Sequence, residues 1–114
     1  EIYFSCSFPG TIKAWHIHKK MTLNYSVICG KIKLVLYDDR KDSKTKGEVQ
    51  EIYLSTENYS IITVPPLIWN GFKAVGNETC IVANCSDIPH EKNEIKRKPF
   101  DDANIPYNWG IKHK

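Results

Sequence analysis

Two histidines two residues apart, His16 and His18, are the part of this sequence best suited to chemistry. They lie in a segment that alternates in polarity, which predicts a β-strand, and side chains two apart on a strand project from the same face. Neutral imidazoles in that arrangement can accept a proton from a substrate or share a metal ion. The sequence therefore predicts a general base or half of a metal site on this strand.

The strands that must position these histidines are predicted from period-two alternation of apolar residues. Candidate strands cover residues 2–8, 12–18, 23–29, 31–37, 49–54, 61–64, 68–75 and 80–85. His16 and His18 share their parity with Ile12 and Ala14, and all four are expected to face the interior. After residue 86 the alternation stops, so a short helix or an irregular surface segment is expected. Six to eight strands without a long helix predict an all-β sandwich or barrel.

Length, charge and hydropathy exclude several classes of protein. A chain of 114 residues is expected to form one domain, and a net charge of +3 is too small to predict a nucleic-acid binder. The chain contains neither a continuous apolar run long enough to cross a bilayer nor a recognisable signal peptide. The first residue is Glu1 rather than Met, which leaves open a natural segment before it.

The cysteines argue against one kind of metal site. Cys6, Cys29, Cys80 and Cys85 form no CxxC pair, so a zinc site built from two cysteine pairs is not predicted. Each cysteine stands among strand-like neighbours, where a small buried thiol is favoured over two disulfides.

Several short motifs, taken in their order and spacing, resemble the cupins of the dTDP-4-dehydrorhamnose 3,5-epimerase type. They are GTIKAWH at 10–16, GKIKLVLYD at 30–38, VPP at 64–66, GF at 71–72 and FDD at 100–102. The resemblance implies an all-β cupin jelly roll, or double-stranded β-helix, with a short irregular or helical C-terminal segment. It also implies one domain over residues 1–114 that forms a homodimer.

The resemblance implies roles for individual residues as well. Enzymes of this family remove a proton next to the keto group of a nucleotide sugar and return one on the opposite face, without a metal or other cofactor. His16 falls at the catalytic base, and Asp102 falls at the carboxylate that orients this base. Lys13 replaces an arginine of the family. Further substrate contacts are expected from His18, Lys20, Tyr25 and Asn70.

Other positions depart from the family pattern. Ala83 stands at the tyrosine that serves as the family's acid, so the usual proton donor is missing, and Tyr25 and Tyr107 are the candidates to replace it. Leu23 and Asn70 stand where metal-binding cupins carry further ligands. No bound metal is therefore expected.

Two functions stay open from the sequence. The first is an epimerase-like enzyme of polysaccharide biosynthesis that acts on or binds a nucleotide-linked keto-deoxy sugar, with His16 as its base. The second is a sugar-binding or scaffold cupin that has lost turnover together with its acid. In both cases the expected partners are a nucleotide sugar and a second copy of the chain, without nucleic acid or membrane, in the cytoplasm.

Overall fold

The computed structural model describes residues 1–110 as two antiparallel β-sheets packed face to face. Within these residues the strands are β1 (Ile2–Ser7), β2 (Ile12–His18), β3 (Leu23–Cys29), β4 (Lys31–Tyr37), β5 (Val49–Ser55), β6 (Ile62–Val64), β7 (Trp69–Val75), β8 (Cys80–Cys85) and β9 (Ile95–Arg97). A single 3₁₀ turn, Lys92–Glu94, precedes β9. The expected all-β jelly roll is confirmed.

The four-stranded sheet has the order β1-β8-β3-β6, and the five-stranded sheet has the order β5-β4-β7-β2-β9. Gly30 alone joins β3 to β4, and it carries the chain from one sheet to the other. Its φ is 77°, and a Cβ at this position would lie 2.8 Å from the Cα of Cys80. Only glycine fits this crossing, because it has no Cβ and adopts positive φ without strain.

The main hydrophobic core fills the space between the two sheets. Its members are Met21, Leu23, Tyr25, Val27, Ile32, Leu34, Leu54, Val64, Ile68, Phe72, Ala74, Cys80 and Val82. Within residues 1–110, no helix is long and apolar enough to cross a membrane.

A second cluster covers the outer face of the five-stranded sheet. Trp15, Val35 and Trp69 project from β2, β4 and β7, and the C-terminal residues Ile105 and Trp109 pack over them. Val35 projects from β4 on this outer face and has no exposed surface, because the C-terminal segment covers it.

A β-bulge interrupts β2 between Lys13 and His16. In the ladder with β7, Lys13 pairs with Phe72 and His16 pairs with Asn70, so three steps along β2 face two steps along β7. The extra residue reverses the alternation of side chains along the rest of the strand.

The bulge overturns the predicted parity of β2. Ile12 and Ala14 do not share the interior with the histidines; they pack with the outer cluster. His16 and His18 line a cleft between the sheets. Strict alternation of side chains along the whole strand does not hold here, because it requires a strand without a bulge.

β9 was not expected from the sequence, which placed the last strand at residues 80–85. It has three residues and pairs with β2, with Arg97 opposite His16 and Ile95 opposite His18. A segment this short and this polar carries too little alternation to be recognised as a strand.

The four cysteines are all free. Only Cys80 is the buried thiol that the sequence predicts, whereas Cys6 and Cys85 are exposed and Cys29 is partly exposed. Cys6 is exposed because β1 lies at a sheet edge, where its outward side chains meet solvent.

Packing of the C-terminal segment on the outer face is testable through Ile105, which is 3% exposed. Ile105→Ala should lower the free energy of unfolding by about 2–5 kcal/mol, because truncation leaves a cavity in a packed cluster. The matched control is Ile61→Ala, since Ile61 is 62% exposed, and it should change stability by less than about 0.5 kcal/mol. Urea denaturation measures both, and equal losses would contradict the packing.

Candidate functional site

A cleft of about 360 Å³ opens between the two sheets. It is lined by Tyr3, Phe4, Ser5, Lys13, His16, His18, Tyr25, Phe72, Val82, Asn84, His90, Ile95 and Arg97. Both histidines of β2 face it, and its lining also contains four tyrosine or phenylalanine residues and a third histidine. The cleft is therefore where the chain concentrates groups that can transfer protons and contact a ring.

His16 is held by a chain of hydrogen bonds that reaches across to β3 and β7. Its Nε2 lies 3.2 Å from the Oη of Tyr25, and this hydroxyl donates to the Oδ1 of Asn70 at 2.8 Å. The Nδ2 of Asn70 donates to the carbonyl oxygens of His16 and Ile68, at 3.2 and 3.3 Å. Two carbonyl acceptors fix which end of the amide carries nitrogen.

This chain determines the tautomer of His16. Tyr25 has one hydroxyl hydrogen and donates it to Asn70, so the Nε2 of His16 must carry the hydrogen shared with Tyr25. The proton-accepting nitrogen of His16 is therefore Nδ1. Burial raises the pKa of Tyr25, which keeps its hydroxyl protonated.

His16 is neutral at physiological pH. Burial, the neighbouring His18 and the guanidinium of Arg97 lower its pKa from 6.5 to about 4, and the hydrogen bond with Asn70 opposes them only in part. Among residues 1–110, no carboxylate is hydrogen-bonded to this imidazole, so a positive charge on it would not be balanced.

His18 is paired with a buried carboxylate. Its Nδ1 lies 2.5 Å from the Oε1 of Glu94, which is only 3% exposed. The other carboxylate oxygen accepts the backbone N–H groups of Lys20 and Met21, both at 2.7 Å. Burial disfavours the charge, but the hydrogen bonds from His18, Lys20 and Met21 outweigh it and lower the pKa of Glu94.

Two cations border the cleft. Lys13 and Arg97 line it, and no carboxylate does so within the described part of the chain. Arg97 stands opposite His16 in the ladder between β2 and β9. The net positive charge of these lining residues attracts an anionic ligand.

Asp102 is not brought to His16. Its segment lies on the outer face of the five-stranded sheet, where the Nε1 of Trp15 donates to the carbonyl of Phe100 at 3.1 Å. Asp102 accepts the backbone N–H of Asn104 at 2.8 Å, as a turn residue does. The sheet separates it from the cleft, so the expected pairing of His16 with Asp102 is not formed.

Two further candidates lie outside the cleft. Lys20 contributes only its backbone N–H, which binds Glu94, and its exposed side chain does not line the cleft. Tyr107 packs against Trp15 on the outer face and donates its hydroxyl to Glu51. Tyr107 therefore does not replace the missing acid, because it lies on the wrong side of the sheet.

Position 83 also proves to be turned away from the cleft. Val82 and Asn84 line the cleft, and side chains alternate along β8, so Ala83 points to the other face. A tyrosine at this position would not face a ligand beside His16. The absence of an acid at Ala83 therefore says little about this site.

Sequence reasoning missed Glu94 and Arg97. Ile95 and Arg97 line the cleft together, as residues two apart on a strand do, and this spacing is the one signal that was present in the sequence. Nothing in the local sequence indicates that Glu94 is buried, because its partners lie more than 70 positions earlier.

The described residues do not provide a metal centre. Within residues 1–110, no three or more histidine, cysteine or acidic side chains are grouped so as to hold an ion.

Comparison with known proteins gives consistent matches. A profile of the dTDP-4-dehydrorhamnose 3,5-epimerase family matches residues 1–114. A probable low-salt glycan biosynthesis epimerase of Haloferax volcanii is 36% identical over 110 residues, which are 94% of this chain and 70% of that protein. The spore coat polysaccharide biosynthesis protein SpsL of Bacillus subtilis is 34% identical over 113 residues, 97% of this chain and 75% of that protein.

A solved structure is similar over the same extent. The crystal structure of a dTDP sugar isomerase from Desulfovibrio desulfuricans G20 superposes with a TM-score of 0.95 at 42% sequence identity. The match covers 99% of this chain and 73% of that one. Sequence and fold thus agree over nearly the whole chain.

The lowered pKa of His16 predicts how stability depends on pH. Between pH 6.5 and 4 the unfolded chain binds a proton at His16 that the folded protein does not, so this contribution is present above pH 6.5 and is lost as the pH falls. Between pH 8 and pH 5 the loss should be about 2 kcal/mol.

Urea denaturation at the two pH values measures this loss. In His16→Asn, the fall in the free energy of unfolding from pH 8 to pH 5 should be about 2 kcal/mol smaller than in the wild type. His90 is exposed, and His90→Asn should show the same fall as the wild type. Identical pH dependence in the wild type and His16→Asn would contradict the assignment.

Proposed function

This chain belongs to the dTDP-4-dehydrorhamnose 3,5-epimerase family, and on that premise we propose that it epimerises a nucleotide-linked keto-deoxy sugar. The reaction exchanges a proton on a carbon next to the keto group. Glycan or polysaccharide biosynthesis is the corresponding setting, as the names of two relatives suggest. Four free cysteines suit the reducing cytoplasm.

The observation that carries this proposal is the pair of imidazoles that face one cleft. The rings of His16 and His18 are 6.1 Å apart, and each has one nitrogen bonded to the protein. The other nitrogen of each ring is left to accept a proton. Removal of a proton from carbon needs a base of this kind, with a free lone pair and a fixed position.

The charges of the cleft support a nucleotide diphosphate as the anchoring group. Lys13 and Arg97 provide the cations, and Tyr3 provides apolar surface for a sugar or a base. Arginine can bind two phosphate oxygens at once, whereas lysine acts as a point charge. In this proposal Arg97 takes the stronger anchoring role that the sequence assigns to Lys13.

The chemistry requires a base of the chain and a proton from water. The C–H bond next to the keto group breaks, its electron pair forms the enolate, and the proton passes to an imidazole of the β2 pair. Water then donates a proton to the opposite face of the carbon and inverts the centre, and the imidazole releases its proton to the hydroxide that remains. Tyr25 serves this site by fixing the tautomer of His16, since its raised pKa makes it a poor acid.

Proton exchange tests the proposal directly. The protein is incubated with dTDP-4-keto-6-deoxyglucose in deuterated buffer, and NMR follows deuterium entering next to the keto group. We expect exchange in the wild type and a loss of at least about a hundredfold when His16 and His18 are both replaced by Asn. Binding of dTDP without exchange would support the sugar-binding cupin instead, and failure of both would refute the proposal.

Adjacent cations on β9 offer a matched test of anchoring. Arg97→Gln should weaken dTDP binding about tenfold to a hundredfold, as expected for loss of a charge-assisted hydrogen bond. Lys96→Gln removes the same charge one residue away, at a position that does not line the cleft, and should leave affinity nearly unchanged. Isothermal titration calorimetry compares them, and equal losses would contradict anchoring by Arg97.

We further propose that the chain acts as a homodimer built on β1. This strand lies at the edge of its sheet, and Ile2, Phe4 and Phe8 are 55%, 65% and 75% exposed. A free edge with exposed apolar side chains favours pairing with a second copy.

Light scattering tests this interface. The wild type should have the mass of two chains, and Phe8→Glu should shift it towards one chain, because a charge would be buried in the interface. Ile61→Glu alters an equally exposed apolar residue away from β1 and should remain dimeric. A monomeric wild type at high concentration would contradict the proposal.

A further inference from the structure

The two histidines of the cleft are held through different ring nitrogens. The Oε1 of an ionised Glu94 can only accept a hydrogen bond, so the Nδ1 of His18 must donate to it. This leaves Nε2 as the proton-accepting nitrogen of His18, and within residues 1–110 no protein group bonds to it. In His16 the assignment is reversed, because Nε2 carries the hydrogen that faces Tyr25.

The surroundings of the two rings also differ in how well they stabilise an imidazolium. An imidazolium at His18 would lie 2.5 Å from a carboxylate oxygen. An imidazolium at His16 would lie near Arg97 and His18, and these groups together with burial lower its pKa to about 4. Of the two rings, His18 is the one that the protein equips to hold a proton taken from a substrate.

We infer that His18 accepts the proton that leaves the sugar and that Glu94 is the positioning residue that presents the Nε2 of His18 to it. The inference rests on the proposed function and assigns its base. His16, which the sequence favours as the base, lines the cleft in this assignment as an uncharged side chain that does not take the proton. In the step itself, the C–H bond breaks, its electrons enter the enolate, and the lone pair of Nε2 forms the new N–H bond.

The backbone around His18 supports such a positioning role. The N–H of Leu67 donates to the carbonyl of His18 at 2.8 Å, and the N–H of Lys19 donates to the carbonyl of Glu94 at 3.0 Å. Glu94 therefore meets β2 through both its backbone and its side chain. A base held this rigidly loses little by reorganisation during proton transfer.

Glu94→Gln is the informative variant, because its effect on the tautomer follows from the hydrogen bonds. The glutamine carbonyl must take over the N–H groups of Lys20 and Met21, since an amide NH₂ cannot accept them. The NH₂ then faces the Nδ1 of His18 and donates to it. The hydrogen of His18 moves to Nε2, and this nitrogen is then no longer a base.

The experiment combines ¹⁵N NMR of the imidazole nitrogens with the exchange assay. In the wild type we expect His18 to be protonated at Nδ1, with its signals assigned by their loss in His18→Asn. In Glu94→Gln we expect protonation at Nε2, a fall in the exchange rate of about a hundredfold or more, and dTDP affinity within about twofold of the wild type. Glu91→Gln, an exposed change at the start of the same turn, should alter none of these.

The outcomes separate this inference from the proposed function. Wild-type protein that shows no exchange overturns both. Exchange that persists in His18→Asn but is lost in His16→Asn overturns the inference alone and assigns the base to His16. A wild-type His18 protonated at Nε2 also overturns it, and this measurement needs neither substrate nor the Glu94 variant.

Discussion

The β-bulge in β2 is the constraint on which the rest of this structure depends. It allows one strand to present Ile12 and Ala14 to the outer cluster and then His16 and His18 to the cleft. Without the extra residue, one of these sets would face the wrong environment, since alternation in a regular strand is strict. The hydrophobic outer face and the polar cleft therefore arise from the same local irregularity.

The outer cluster determines where the C-terminal segment runs. Trp15 follows Ala14 within the bulge, and its indole both packs against Trp109 and donates to the carbonyl of Phe100. Burial of these large aromatic side chains is a strong reason for the segment to lie on this face. As a result, Asp102 is carried to the side of the sheet opposite His16, and another carboxylate occupies the cleft side.

That carboxylate, Glu94, links the local fold to the chemistry. Its charge is buried, and burial of a charge is unfavourable unless hydrogen bonds compensate for it. The N–H groups of Lys20 and Met21 and the ring of His18 provide that compensation. The interaction that ties the 3₁₀ turn to the end of β2 is thus the same one that fixes the tautomer of His18.

Much of the architecture was predictable from the sequence, because apolar alternation reports which stretches form strands and which side chains share a face. It placed His16 and His18 together, and motif spacing added Lys13, Tyr25 and Asn70, all of which the structure brings to the cleft or directly behind it. Only the tertiary structure decided which carboxylate joins them. His18 and Glu94 are 76 positions apart, and a local pattern carries no information about contacts at that distance. The bulge, the route of the C-terminal segment and the three-residue β9 bring Arg97 to the cleft and Glu94 to the ring of His18, and keep Asp102 away from both.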